Sequence, residues 1–131
     1  MDDVDADRDR LRDLSVRLLK LHRALLDHER IAYETRHGSV AAGDLFRLLL
    51  DDPQFAWLRA LSALIARIDE VVDADDPLTE DDADAAFRAV YRLLKGDDAG
   101  EFRDRYHDAL QRSPDVVMAH AHVSKMFPSR R

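Results

Sequence analysis

The chain has 131 residues, an apolar fraction of 46%, a charged fraction of 36% and a formal net charge of −7. This length is the usual span of one domain and suffices to close a single hydrophobic core, and the low content of Gly and Pro disfavours disorder. The absence of cysteine excludes disulfides, Cys-ligated zinc, iron–sulfur clusters and thiol catalysis, and it predicts a cytoplasmic protein.

The sequence argues against nucleic acid and membrane as partners. Its start, MDDVDADRDR, lacks the basic and apolar stretches of a signal peptide, so we expect no export signal. No run approaches the roughly 20 apolar residues of a membrane-spanning helix. A negatively charged body repels phosphate backbones and anionic lipids, so we expect neither class of partner.

The strongest periodic signal is an apolar stripe near the N-terminus, in steps of three and four residues: Leu11, Leu14, Leu18, Leu21, Leu25, His28 and Ala32. This spacing predicts one long helix over about residues 8–36. His37 and Gly38 offer the cationic last turn and left-handed cap that end a helix. The stripe is broader than a strict coiled-coil seam, which indicates a helical bundle.

Five further helices are predicted from caps and apolar periodicity. They begin at about residue 44, at Pro53 after the cap Asp52, after the cap Thr79, at about residue 99, and after Ser113. No alternating, strand-like segment occurs. We therefore predict an all-α, single-domain bundle of five to six helices over 1–131, with a long N-terminal helix and frayed ends at 1–7 and 128–131.

The long first helix also predicts self-association. It exceeds the length that its neighbours offer, so its N-terminal turns are expected to project and to expose Leu11, Leu14 and Leu18. The same helix of a second copy would cover them, giving a two-fold homodimer. The alternative is that the last two helices fold back over the stripe.

Metal and cofactor sites are not indicated by the histidines and acids. The six histidines include no His-x-x-x-His pair, and Glu34 with His37 is a single Glu-x-x-His where a di-iron bundle needs two. The acidic segment 69–84 has nine acids and no base, but Pro77 and Leu78 stand where a calcium loop needs a ligand and a glycine. We expect no metal and no cofactor.

A rival interpretation is a small-molecule or metal site inside the bundle. His28 and His120 fall on apolar faces, where an imidazole is either hydrogen-bonded as a neutral structural group or part of a polar pocket. The candidate pocket comprises His22, His28, Tyr33, Arg59 and His120. Ser62 lacks the glycine elbow and placed base of a nucleophile, and no Gly-rich phosphate loop occurs, so we expect no enzyme.

The segments LHRALLDHERIAYETRHG and DPQFAWLRALSALIARIDE, in the first half of the chain, together resemble a family of small helical bacterial proteins of no known function. The resemblance implies a helical fold and brings no activity or site residues with it. The expected function is a non-enzymatic, self-associating protein-interaction module. Its partners are expected to be a second copy and another protein, with the acidic segment 69–84 available to steer a basic partner.

Overall fold

Helices and their connections make up the described part of the chain, residues 3–96 and 100–127 of a computed structural model, with side chains of the first helix described from residue 6. Within these ranges there are six α-helices, one 3-10 helix and no strand, so the all-α prediction is confirmed. The α-helices are α1 (Asp3–His37), α2 (Ala42–Asp51), α3 (Arg59–Asp73), α4 (Glu80–Lys95), α5 (Glu101–Arg112) and α6 (Pro114–Ser124); the 3-10 helix is Pro53–Leu58.

The long first helix is confirmed, and it begins earlier than predicted. It already runs from Asp3, while residues 1–2 and the predicted frayed end at 128–131 lie outside the described residues. It ends as predicted, because Gly38 adopts a left-handed φ of 89° and donates its N–H to the Glu34 carbonyl at 2.9 Å. This glycine turns the chain sharply toward α2.

The predicted third helix is split in two. From Pro53 the chain first forms the 3-10 helix, with the Asp52 side chain accepting a hydrogen bond from the Gln54 N–H, and only at Arg59 does α3 begin. In a 3-10 helix the side chains three residues apart eclipse, so Phe55 and Leu58 point to the same side, and both are fully buried. The 3-10 winding therefore places both side chains in the core just before α3 begins.

The caps of the later helices agree with the sequence. Thr79 and Asp82 form a reciprocal capping box at the start of α4, with hydrogen bonds of 3.0 and 3.2 Å. Ser113 caps α6 through the Val116 N–H, with Pro114 in the first turn. Residues 97–99, where α5 was expected to begin, lie outside the described ranges, and α5 runs from Glu101.

The hydrophobic core surrounds α1, which packs against α3, α4 and α6. Leu11, Leu14 and Leu18 have no exposed surface within the single chain, so the expectation that they project toward a second copy is corrected. The cover reaches them because α6 lies beside this part of α1, where the Arg17 guanidinium donates to the His122 carbonyl at 2.7 Å. The alternative expected from the sequence, that the last two helices fold back over the stripe, is found for α6, which packs on α1.

Each helix also has residues that face solvent. No helix in the described ranges combines the length and the apolar character that crossing a bilayer requires.

Candidate functional site

The five residues predicted to form an internal site are held apart by different partners. No hydrogen bond or ring contact joins any two of them in the part of the chain that the structure describes: His22, His28, Tyr33, Arg59 and His120. Tyr33 packs on His37, with ring centres 4.3 Å apart, and the Arg59 Nε donates to the Leu49 carbonyl at 3.3 Å. His28 is half-buried on α1.

His22 joins α1 to α3 through Ser62. Its Nε2 lies 2.7 Å from the Ser62 Oγ, and that hydroxyl donates to the Leu58 carbonyl at 3.2 Å. The Ser62 hydroxyl thus lies between the His22 ring and the Leu58 carbonyl and links the two helices. Burial lowers the pKa of His22 and favours the neutral ring. Both contacts are those of a half-buried structural pair between α1 and α3.

His120 joins α6 to α5 through Tyr106. The two atoms, Tyr106 Oη and His120 Nδ1, are 2.5 Å apart, and the phenol is fully buried. Burial lowers the pKa of His120, assisted by the positive charges of Lys95 and His107, and burial raises the pKa of Tyr106. Both groups are thus kept neutral, with the phenol donating to the ring nitrogen, which is the structural role expected for an inward histidine.

A row of polar side chains connects α1 to α3 and its 3-10 helix, and the sequence analysis missed it. The row on α1 recurs every seventh residue: Arg8, Ser15, His22 and Glu29. Its partners run in the opposite direction: the Val72 carbonyl, the Asp69 carboxylate, the Ser62 hydroxyl and the Trp57 indole. The signal was the seven-residue recurrence of polar residues beside the leucine stripe, which marks a seam between two antiparallel elements.

Glu29, the last member of this row, contacts three other residues. Its buried carboxylate accepts hydrogen bonds from the Trp57 Nε1 and the Gln54 Nε2, each at 3.0 Å, and lies 3.6 Å from the Arg105 guanidinium of α5. The Trp57 side chain is buried and its indole N–H is satisfied by this carboxylate, and the cation beside Glu29 comes from α5. These filled acceptor positions make Glu29 a structural anchor between three elements.

The second helix is the least covered element of the fold. It contributes no buried residue, and Phe46 and Leu50, one turn apart, are 64% and 54% exposed. Three further leucines of α2 are half-buried against the core: Leu45, Leu48 and Leu49. Beside them a groove of about 500 Å³ separates α2 from the end of α1, with Tyr33 and His37 on one wall and Arg47 on the other. The largest unpartnered apolar side chains of the helix thus face solvent.

No group of three or more His, Asp or Glu side chains within the described ranges has an arrangement that could hold a metal ion. Comparison of the chain with protein-family models, with curated proteins and with solved structures finds no match in any of the three.

Proposed function

We propose that the chain is a non-enzymatic helical interaction module that associates with a second copy of itself through α2. The observation that carries the proposal is the exposure of Phe46 and Leu50 on a helix that buries nothing in its own fold. Apolar side chains of this size that remain together in solvent mark interaction sites more often than chance.

The apolar arc of α2 is wider than the bundle covers. At 100° per residue its six apolar residues span about 200° of the helix, running from Leu48 through Leu45, Leu49, Ala42 and Phe46 to Leu50. The bundle receives the Leu45–Leu48–Leu49 side of the arc, and the Phe46–Leu50 side is left over. Such a wide apolar arc is typical of a helix that packs against neighbours on two sides.

A second copy is the occupant that fits this remaining side. In an antiparallel pair of α2 helices, Phe46 of each copy would face Leu50 of the other. The same Phe46–Leu50 contact would then occur twice, related by the two-fold axis. Asp44 and Arg47 form their own ion pair at 3.9 Å outside this stripe and would not be buried. Phe46 and Leu50 are 64% and 54% exposed, so burying what remains of these four side chains, two from each copy, contributes about 4–7 kcal/mol. The association cost is of similar size, so a weak dimer with a dissociation constant well above the micromolar range is expected.

The rival function, a small-molecule or metal site built from the five predicted residues, is not proposed, because within the described residues each of those with a hydrogen bond or ring contact has a partner outside the set. The engaged Ser62 hydroxyl and the filled acceptors of Glu29 favour a non-enzymatic protein. The cysteine-free composition favours the cytoplasm as its compartment.

The test is sedimentation velocity with native mass spectrometry from micromolar to millimolar concentration of the chain. The wild type is expected to be a dimer that dissociates on dilution, and Phe46→Glu with Leu50→Glu is expected to be a folded monomer. The matched control is Val117→Glu with Met118→Glu, which changes two exposed apolar residues of α6 and should leave the dimer intact.

Three results would contradict the proposal. A wild type that stays monomeric at the highest concentration removes the second copy as occupant and leaves another protein as the partner of α2. A dimer that survives the α2 change and fails with the α6 change places the contact elsewhere. A dimer unaffected by both changes also excludes α2.

A further inference from the structure

A second surface, on α4, combines half-buried aromatic rings with arginines that form no ion pair within the described residues. Between α4, the start of α1 and the last described residues lies a groove of about 550 Å³, here named the α4 groove. Phe87, Tyr91 and Phe127 line it, and all three are half-buried. Phe127 stands edge-on to both other rings, with centres 5.9 Å from Phe87 and 5.6 Å from Tyr91. The groove thus has an aromatic floor that solvent reaches.

Arginines form the edge of this floor. Arg88 and Arg92 follow each other one turn apart on the exposed side of α4, and Arg10 of α1 stacks over the Phe87 ring at 4.5 Å. Arg10 is partly neutralised by Asp7 at 3.6 Å, whereas neither Arg88 nor Arg92 forms an ion pair within the described residues. Among the described residues, no carboxylate therefore competes with an anion for these two guanidinium groups next to aromatic surface.

The positive charge is local and opposes the charge of the whole chain. The chain carries −7, yet residues 85–131 hold nine Lys and Arg against six Asp and Glu. The helix dipole favours cations in the last turn of α4, which accounts for Arg92 and Lys95. It does not account for Arg88, which lies before that turn, or for the aromatic floor beneath. Of the described residues that line the groove, Asp84 is the one acid.

We propose that the α4 groove binds a small organic anion with a planar aromatic body. Guanidinium groups bind carboxylate, sulfonate or phosphate oxygens through forked, charge-assisted hydrogen bonds, and aromatic floors stack on flat rings. The volume falls within the roughly 300–1,000 Å³ usual for small-molecule sites, which suits a ligand of two or three fused or linked rings. The site does not involve α2 and stands independently of the proposed self-association.

The test titrates the full chain calorimetrically with anilinonaphthalene sulfonate, an aromatic anion of this size. Its comparator is phenylnaphthylamine, which has the same rings without the sulfonate. One sulfonate ligand per chain is expected, with affinity roughly tenfold or more weaker in Arg88→Gln with Arg92→Gln. The control, Arg23→Gln with Arg67→Gln, changes two exposed arginines outside the groove and should alter affinity less than about twofold.

A second arm separates this site from the apolar face of α2. The titration is repeated in Phe46→Glu with Leu50→Glu, and the sulfonate affinity is expected to stay unchanged. Affinity that falls in this variant and not in the α4 variant would assign the ligand to α2 and overturn the proposal, while leaving the dimer test unaffected.

Other results would overturn it as well. If phenylnaphthylamine binds as tightly as the sulfonate, the groove is apolar surface without anion recognition. If neither compound saturates, the site does not exist. If only an acidic, phenylalanine-containing peptide binds, and does so through Arg88 and Arg92, the groove is a peptide-docking surface and the small-ligand assignment is wrong.

Discussion

Helices α1 and α2 show opposite relations between sequence and burial. α1 is rich in charge, with acids and arginines along its whole length, yet five of its leucines have no exposed surface. α2 is the more apolar segment, LFRLLL over residues 45–50, and contributes no buried residue. Apolar content alone therefore does not decide burial in this fold. What decides it is whether neighbouring elements cover the apolar side of the helix, as they cover the leucine stripe of α1 and do not cover Phe46 and Leu50 of α2.

The two helices are therefore expected to contribute to different properties, α1 to the stability of the fold and α2 to association. The covered leucines of α1 hold the fold together, whereas the uncovered side of α2 contributes little to it and remains available to a partner. Four predictions test this division through the free energy of unfolding, measured by urea denaturation of each variant.

The largest loss is expected from Leu18→Ala on α1. This side chain is fully enclosed, so its removal loses transfer free energy and leaves a cavity, at a cost of about 2–5 kcal/mol. A loss below about 1 kcal/mol would mean that the core relaxes around the site and that α1 is less tightly covered than described. The charged change Leu14→Glu is expected to prevent folding, so it does not report on dimerisation.

The next largest loss is expected from Glu29→Ala. The Trp57 indole and the Gln54 amide would lose a buried acceptor, which costs about 3 kcal/mol. Trp57 fluorescence reports the transition and the changed environment together. The matched control is Glu70→Ala, an exposed acid of α3, for which a change within about 0.5 kcal/mol is expected. Equal effects of the two changes would contradict the anchoring role of Glu29.

A smaller effect is expected from pH, through His22. Its pKa is lowered by burial below the ordinary value of 6.5, so the unfolded chain binds the proton more readily than the folded one. This contribution to stability is complete above pH 6.5 and is lost as pH falls toward the lowered pKa.

Unfolding free energies at a series of pH values check the sign. His22→Gln, which keeps a polar group near Ser62 and cannot titrate, should flatten the profile between neutral and mildly acidic pH. His122→Gln, at an exposed position of α6, should leave the wild-type slope unchanged. A steeper profile in His22→Gln would show that the assigned direction is wrong.

The smallest effect is expected from Leu50→Ala on α2. The side chain is more than half exposed, so the free energy of unfolding of the monomer should change by less than about 0.5 kcal/mol. Measurement at concentrations below the dissociation constant of the proposed dimer isolates this quantity. A loss comparable to that of Leu18→Ala would end the distinction between the two helices, because Leu50 would then belong to the core.

The sequence predicted those parts of the fold that depend on neighbouring residues. The left-handed Gly38, the Thr79 cap and the Ser113–Pro114 start are set by local backbone chemistry, and each is confirmed. The 3-10 winding after Pro53 was missed, because proline fits the first turn of either helix type and the choice follows from burying Phe55 and Leu58 together.

The candidate site was less predictable, because its geometry depends on distant elements. Glu29 meets Arg105 of α5 only after four intervening elements have folded between them, and no local pattern specifies that partner. The exposure of Leu14 was predicted from helix length, and α6 covers it. The exposed side of α2 was visible in the sequence as an apolar arc too wide for one interface, and only the structure showed which part of the arc is uncovered.

The row of hydrogen bonds along α1 also bears on how α1 is aligned with α3. Leucines of α1 recur with the same seven-residue interval, so sliding α1 along α3 by about 10.5 Å would again bring apolar residues of the two helices together. One such slip sets His22 against Phe55, and the opposite one takes Glu29 away from the Trp57 indole and the Gln54 amide. The hydrogen bonds of the row therefore favour the observed alignment over others that the apolar residues alone would allow.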